Sequence, residues 1–124
     1  MRLLLDTHVL LWALAGSRLS PAARDAIAEP DNQVLVSAAS IWEIVIKGAQ
    51  GRLDMPAGWF DQLALQSMDV LDITPQHALR VGDLPALHRD PFDRMLVAQA
   101  QAEAAVLVTR DTDIARYDVE VLRA

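Results

Sequence analysis

Four carboxylates in this 124-residue chain, Asp6, Glu43, Asp93 and Asp111, stand where a folded backbone brings acids together. Asp6 ends the apolar run Leu3-Leu4-Leu5, and Asp111 follows Val106-Leu107-Val108 across Thr109 and Arg110. Asp93 opens a helix-like stretch, and Glu43 is the single acid inside Ile41-Trp42-Glu43-Ile44-Val45-Ile46. Carboxylates sharing one crevice raise each other's pKa, so such a set implies a hard divalent cation, Mg²⁺ with Mn²⁺ as substitute, and oxygen ligands. Zinc fits poorly, because the chain has no cysteine and its three histidines, His8, His77 and His88, are scattered.

Each acid also has an ordinary structural explanation. Glu43 lies three residues after Ser40 in capping-box spacing, or one turn before Lys47. Asp90 before Pro91 is explained as a helix N-cap, Asp93 gains from the first-turn dipole, and Asp111 suits an Asx turn. What these explanations leave out is the joint placement of the four.

That placement depends on the elements between them. Short apolar runs at Leu3–Leu5, Val34–Val36 and Val106–Val108 read as buried parallel strands. Met68–Ile73 reads as a strand near an edge, and Val119–Leu122 as a closing strand. Helical patterns fall over Val9–Ala15, Ser20–Glu29, Ala38–Gln50, Ala57–Gln66, Thr74–Val81 and from Pro91 through the alanine-rich stretch to Ala105. The run around Glu43 reads as buried almost all round. Alternation of strand and helix predicts a three-layer α/β/α domain with a central, mostly parallel sheet. In that architecture every strand-to-helix junction opens on one edge of the sheet, so Asp6, Asp93 and Asp111 share the edge, with Glu43 within two turns of it.

Composition bounds the rest. The length fits one domain over residues 1–124, and 52% apolar with 23% charged residues is globular. Without cysteine there is no disulfide or thiolate chemistry, which suits a reducing cytoplasm. Arg2 before an apolar stretch, with Ala13-Leu14-Ala15 behind it, mimics a signal peptide, but Asp6 and His8 interrupt the run. No run approaches the ~18 residues of a membrane span, so no membrane partner is expected. A net charge of -6 argues against binding nucleic acid through a broad basic patch. A metal held by the acids, however, reverses the local sign where a phosphate would sit.

Taken in order, Leu3-Leu4-Leu5-Asp6-Thr7-His8, Ser37-Ala38-Ala39-Ser40-Ile41-Trp42-Glu43, His88-Arg89-Asp90-Pro91-Phe92-Asp93-Arg94 and Thr109-Arg110-Asp111 resemble the PIN-domain ribonucleases, specifically the VapC-like toxins of bacterial toxin–antitoxin pairs. The resemblance spans the whole chain, and its specificity lies in four segments in register. It implies a PIN-like fold, Asp6, Glu43, Asp93 and Asp111 as metal-binding catalytic carboxylates, and Thr7, Ser37 and Thr109 as hydroxyls that orient them. Asp113 is an alternative for the fourth role, while His88 and Asp90 belong to the pattern without an assigned part. The resemblance further implies endonucleolytic hydrolysis of an RNA phosphodiester, a cognate antitoxin that covers an apolar groove, and a homodimer. Arg89, Arg94, Arg110 and Lys47 are the cations nearest the acids, read either as phosphate contacts or as solvated surface charge.

Three competing readings stand beside this one. A phosphotransfer domain also places an acid after its first strand, but Thr7 and His8 follow Asp6 and Lys47 is the only lysine. A DNA nuclease would use the same metal site. A non-enzymatic binding module would leave the acids as caps and surface charge. Trp12, Trp42, Trp59, Phe60 and Tyr117 are candidates for partner surfaces, and each is read first as core.

Overall fold

The computed structural model describes residues 1–124. Its elements are β1 (Arg2–Leu5), α1 (Thr7–Ala15), α2 (Pro21–Ala28), β2 (Gln33–Ser37), α3 (Ala38–Ala49), α4 (Asp61–Leu65), β3 (Met68–Leu71), α5 (Pro75–Asp83), α6 (Pro91–Glu103), β4 (Val106–Thr109) and β5 (Val121–Arg123). A 3₁₀ turn, Ile114–Arg116, precedes the last strand. The sheet order is β3-β2-β1-β4-β5, and all four pairings are parallel. No helix is long and apolar enough to cross a membrane.

Strand alternation builds the three layers. Leu3, Leu5, Val34, Val36, Val106 and Val108 point to one face, where Val9, Leu10, Ala23, Ile44 and Leu63 of α1 to α4 cover them. Leu4, Leu35 and Leu107 point to the other face, against Leu96, Val97 and Ala100 of α6. Leu4 is in register with Leu35 on one side and Leu107 on the other, so β1 is central and buried on both faces. From β1 the chain moves outward through β2 to β3, then returns to lay β4 on the opposite side of β1. The order therefore reverses between β1 and β4, and ligands of open α/β sheets bind outside the strand ends at such a reversal. Asp6 follows one of these strands and Asp111 the other.

Local chemistry ends the helices where the sequence indicates. Ser20 and Thr74 cap α2 and α5, each with proline in the first turn. Gly16 terminates α1 at φ 71, a left-handed conformation that a side chain would strain. Asp90 accepts from the N–H groups of Phe92 (2.8 Å) and Asp93 (3.2 Å). Asp90→Ala is therefore expected to cost about 1 kcal/mol of stability, read from denaturant midpoints at constant slope.

Several expectations are corrected. The helix predicted over Ala57–Gln66 is confined to Asp61–Leu65, because a turn with Gly58 at φ 76 precedes it and Phe60 supplies no side-chain cap. The closing strand is Val121–Arg123 rather than Val119–Leu122, since pairing with Leu107–Thr109 sets its register. In α3 the N-cap is Ser37, not Ser40, so Glu43 takes no part in a capping box. Nor is that helix buried all round: Trp42 and Val45 are 59% and 57% exposed, whereas Glu43 and Ile44 face inward. A 3.6-residue period turns part of any continuous apolar run away from a single layer. Phe60 is likewise half exposed, while Tyr117 is core as expected. Along α6, Ala98 and Ala100 are buried but Ala102 is exposed.

Candidate metal centre

Asp6 is positioned by three consecutive devices. Its backbone N–H continues the sheet by donating to the Val108 carbonyl, and Oδ1 then caps α1 by accepting from the Val9 N–H at 2.8 Å. Its other oxygen, Oδ2, accepts from the Thr109 hydroxyl at 2.5 Å. The side chain is 5% exposed, and burial pushes its carboxyl above the ordinary range despite the two donors. Thr109 in turn accepts from the Asp111 N–H at 3.0 Å, so one hydroxyl at the end of β4 ties two of the acids together.

Asp93 enters from the first turn of α6 and Asp111 from the loop after β4. Together with Asp6, His8, Trp12 and Arg110 they line one cavity of about 340 Å³ at the strand ends. The Asp93 carboxyl is pushed up to about 7, first by burial and then by the negative charges of Asp90, Glu43 and Asp111, with His88 opposing. The crowding anticipated for gathered acids is thus present around this residue.

Glu43 does not line that cavity. It is 4% exposed, one oxygen accepting from Thr7 Oγ1 at 2.6 Å and the other from Lys47 Nζ at 2.6 Å. Ser40 Oγ stands 3.1 Å from the same Thr7 hydroxyl. Glu43 still acts on the site through its charge, which raises Asp93. Of the three hydroxyls expected to orient the acids, Thr109 holds Asp6 and Thr7 holds Glu43. Ser37 instead accepts from the Ala39 N–H at 3.0 Å and caps α3.

His88 is the residue whose part the sequence leaves unassigned. Its Nδ1 accepts from the Asp90 N–H at 3.1 Å, which leaves the proton on Nε2. That nitrogen lies 3.2 Å from Asp93 Oδ2 and 3.4 Å from Asp111 Oδ2, bridging the two acids. The signal available in sequence was its spacing from the Asp90 cap. Asp113 stands at the rim, with its N–H on Asp111 Oδ1 (2.8 Å) and its carboxylate 3.7 Å from Arg116. Donor atoms of His88, Asp111 and Asp113 fall within 4.8 Å of one another.

The nearby cations are mostly committed. Arg94 donates to the Pro85, Val81 and Leu84 carbonyls and to the Tyr117 hydroxyl. Arg110 donates to the Ala124 and Arg18 carbonyls, and Lys47 is on Glu43. Arg89 is exposed. One buried and two partly buried acids that repel one another, with a histidine at their edge, form a donor set that suits a hard divalent ion.

The PIN domain family model matches residues 3–120 of the chain. Ribonuclease VapC22 of Mycobacterium tuberculosis is 36% identical over 113 residues, covering 87% of this chain and 85% of that protein. Among solved structures, VapBC2 from Rickettsia felis bound to a promoter DNA fragment superposes with a TM-score of 0.76 at 17% identity, covering 99% of this chain and 98% of the other. VapBC-1 from nontypeable Haemophilus influenzae gives 0.67 at 23% identity with the same coverages. The structural likenesses establish the fold, and the family match with the curated relative establishes the lineage: this chain belongs to the PIN domain family.

Proposed function

We propose that this chain is a single-domain, metal-dependent endoribonuclease that hydrolyses RNA phosphodiesters, and the toxin of a toxin–antitoxin pair acting in the cytoplasm. The observation that carries the chemistry is the convergence of Asp6, Asp93 and Asp111 on one cavity at the sheet reversal, two of them with carboxyls raised by burial. Similarity to a protein named as a ribonuclease supports the reaction, and the VapBC structures support a cognate antitoxin. Asp6, Asp93 and Asp111, with Glu43 behind Asp93, are the residues that would hold Mg²⁺ or Mn²⁺. A second copy of the chain is the expected partner in a homodimer.

When bound, such an ion supplies a more acidic water and positive charge against the phosphate. The chain's own groups do the positioning. Thr109 and the Val9 N–H fix Asp6 so that its oxygens cannot rotate away. Thr7 and Lys47 hold Glu43 at a constant place behind the site, where its charge acts on Asp93. Asp93 makes no helix cap, that task being done by Asp90, so its carboxylate is available to orient an attacking water. His88 Nε2–H, between Asp93 and Asp111, holds the two carboxylates in mutual register.

Cleavage of total RNA should vanish in EDTA and return with excess Mg²⁺ or Mn²⁺, followed on denaturing gels with single-stranded and duplex DNA alongside. Undiminished RNA cleavage in chelator would sink the metal mechanism. Equal cleavage of DNA would favour the DNA-nuclease alternative, which shares every carboxylate.

A further inference from the structure

We infer that Trp12 is the stacking surface for an unpaired RNA base beside the cleaved phosphate; this rests on the ribonuclease reading and adds how the RNA is held. Along α1, Asp6 is the cap, and His8 and Trp12 follow one helical turn apart on a shared face, about 6 Å of axial rise. Both side chains line the acidic cavity. Both also line a second, larger groove of about 670 Å³, to which Leu11, Leu53, Met55 and Trp59 contribute. These two aromatic rings are therefore the lining that the acidic cavity and the apolar groove share. A nucleotide whose phosphate reaches the carboxylates has its neighbouring base at that wall.

The indole is set in place before any ligand arrives. The Arg110 guanidinium lies over one face of its ring, 4.3 Å from the centroid, and is itself held by the Ala124 and Arg18 carbonyls, so the base takes the opposite face. A ring fixed in advance costs little ordering on binding. Electrostatics points the same way. The chain carries a net charge of -6, and Lys47, Arg94 and Arg110, three of the four cations near the acids, are tied to protein groups. Beside a bound metal, only exposed Arg89 and the groove-lining Arg18 are left here for phosphates, so affinity for RNA calls for a further source. Stacking on an aromatic side chain supplies roughly 5- to 150-fold per base and requires the base to be unpaired. An antitoxin segment that covers the groove and reaches the acids would meet the same wall, and the test separates it from a base.

The test uses the full chain carrying Asp93→Asn, so that RNA is bound in Mn²⁺ without being cut. The probes are single-stranded octanucleotide RNAs with 2-aminopurine walked through each position, and the same strands in duplex. One position should show quenched fluorescence and the duplexes should bind weakly. Trp12→Leu, which keeps apolar volume without an aromatic face, should lose the quench and weaken binding about tenfold, whereas Trp12→Phe should retain most of both. Between 50 and 200 mM KCl affinity should fall less than about tenfold, as expected for one or two phosphate contacts. Quenching or affinity unchanged in a folded Trp12→Leu protein overturns the inference, as does a steep salt dependence. So does loss of inhibition by the cognate antitoxin with RNA binding intact, which would assign the groove to a protein segment. Absence of RNA cleavage by the wild-type chain in Mn²⁺ is a separate result, and it overturns the ribonuclease reading itself.

Discussion

Asp93→Asn should abolish RNA cleavage, by more than about 100-fold, while making the metal-free protein more stable at neutral pH. Loss of a residue that merely supports a metal ligand already costs about 10- to 100-fold, so removing a carboxylate from the cavity should cost at least that much. The stability gain follows from the raised carboxyl, about 7 in the folded protein against 3.8 ordinarily. For an acid shifted upward, the folded state holds its proton after the unfolded chain has released it. The associated stability is thus fully present below about pH 4 and is lost as pH rises through 7. The lost stability is on the order of a few kcal/mol, given 1.36 kcal/mol per pKa unit. Wild-type stability without metal, measured by urea unfolding from pH 4.5 to 8, should fall across that window more steeply than that of Asp93→Asn. Parallel profiles would show that Asp93 is neither crowded nor buried enough to matter, and retained cleavage would remove it from the site.

Asp6→Asn gives the second large effect, in the response to metal rather than to pH. Asparagine caps a helix about as well as aspartate, so the bond from the Val9 N–H survives. Its amide would donate to Thr109, whose hydroxyl rotates to accept. The variant also removes a charge whose burial is unfavourable. Metal-free Asp6→Asn should therefore melt at or above the wild-type temperature. Asp6→Ala should lose about 1 kcal/mol through the missing cap. With Mn²⁺ at 100 times its Kd, native-state binding adds about 2.7 kcal/mol to the wild type, roughly 10 °C for a domain of this size. Asp6→Asn should shift far less. A markedly destabilised metal-free Asp6→Asn protein with an intact Mn²⁺ shift would make Asp6 a structural residue, and the proposed site would be misplaced.

Periodicity and capping chemistry are local properties, and wherever they governed the outcome the sequence by itself determined the structure. Leu3–Leu5, Val34–Val36 and Val106–Val108 are strands because apolar runs this short, bounded by polar residues, fall well below the length of a buried helix. Asp90 and Pro91 start α6, and Gly16 ends α1, for reasons confined to a few backbone groups. Junction geometry then carried Asp6, Asp93 and Asp111 to one edge, since parallel strands send all their following segments the same way. Tertiary structure decided what depends on neighbours distant in sequence. Glu43 faces inward to Thr7 and Lys47 instead of lining the cavity, and Trp42, inside the same apolar run, is left exposed, because α3 packs on the sheet by one face only. Val121–Arg123 takes its register from β4, not from its own pattern. His88 bridges Asp93 and Asp111, and Trp12 stands between the acids and the groove, through contacts that spacing alone does not fix. Such contacts depend on where separate elements come to rest, and that is settled by the packing of two faces of one sheet rather than by any single segment.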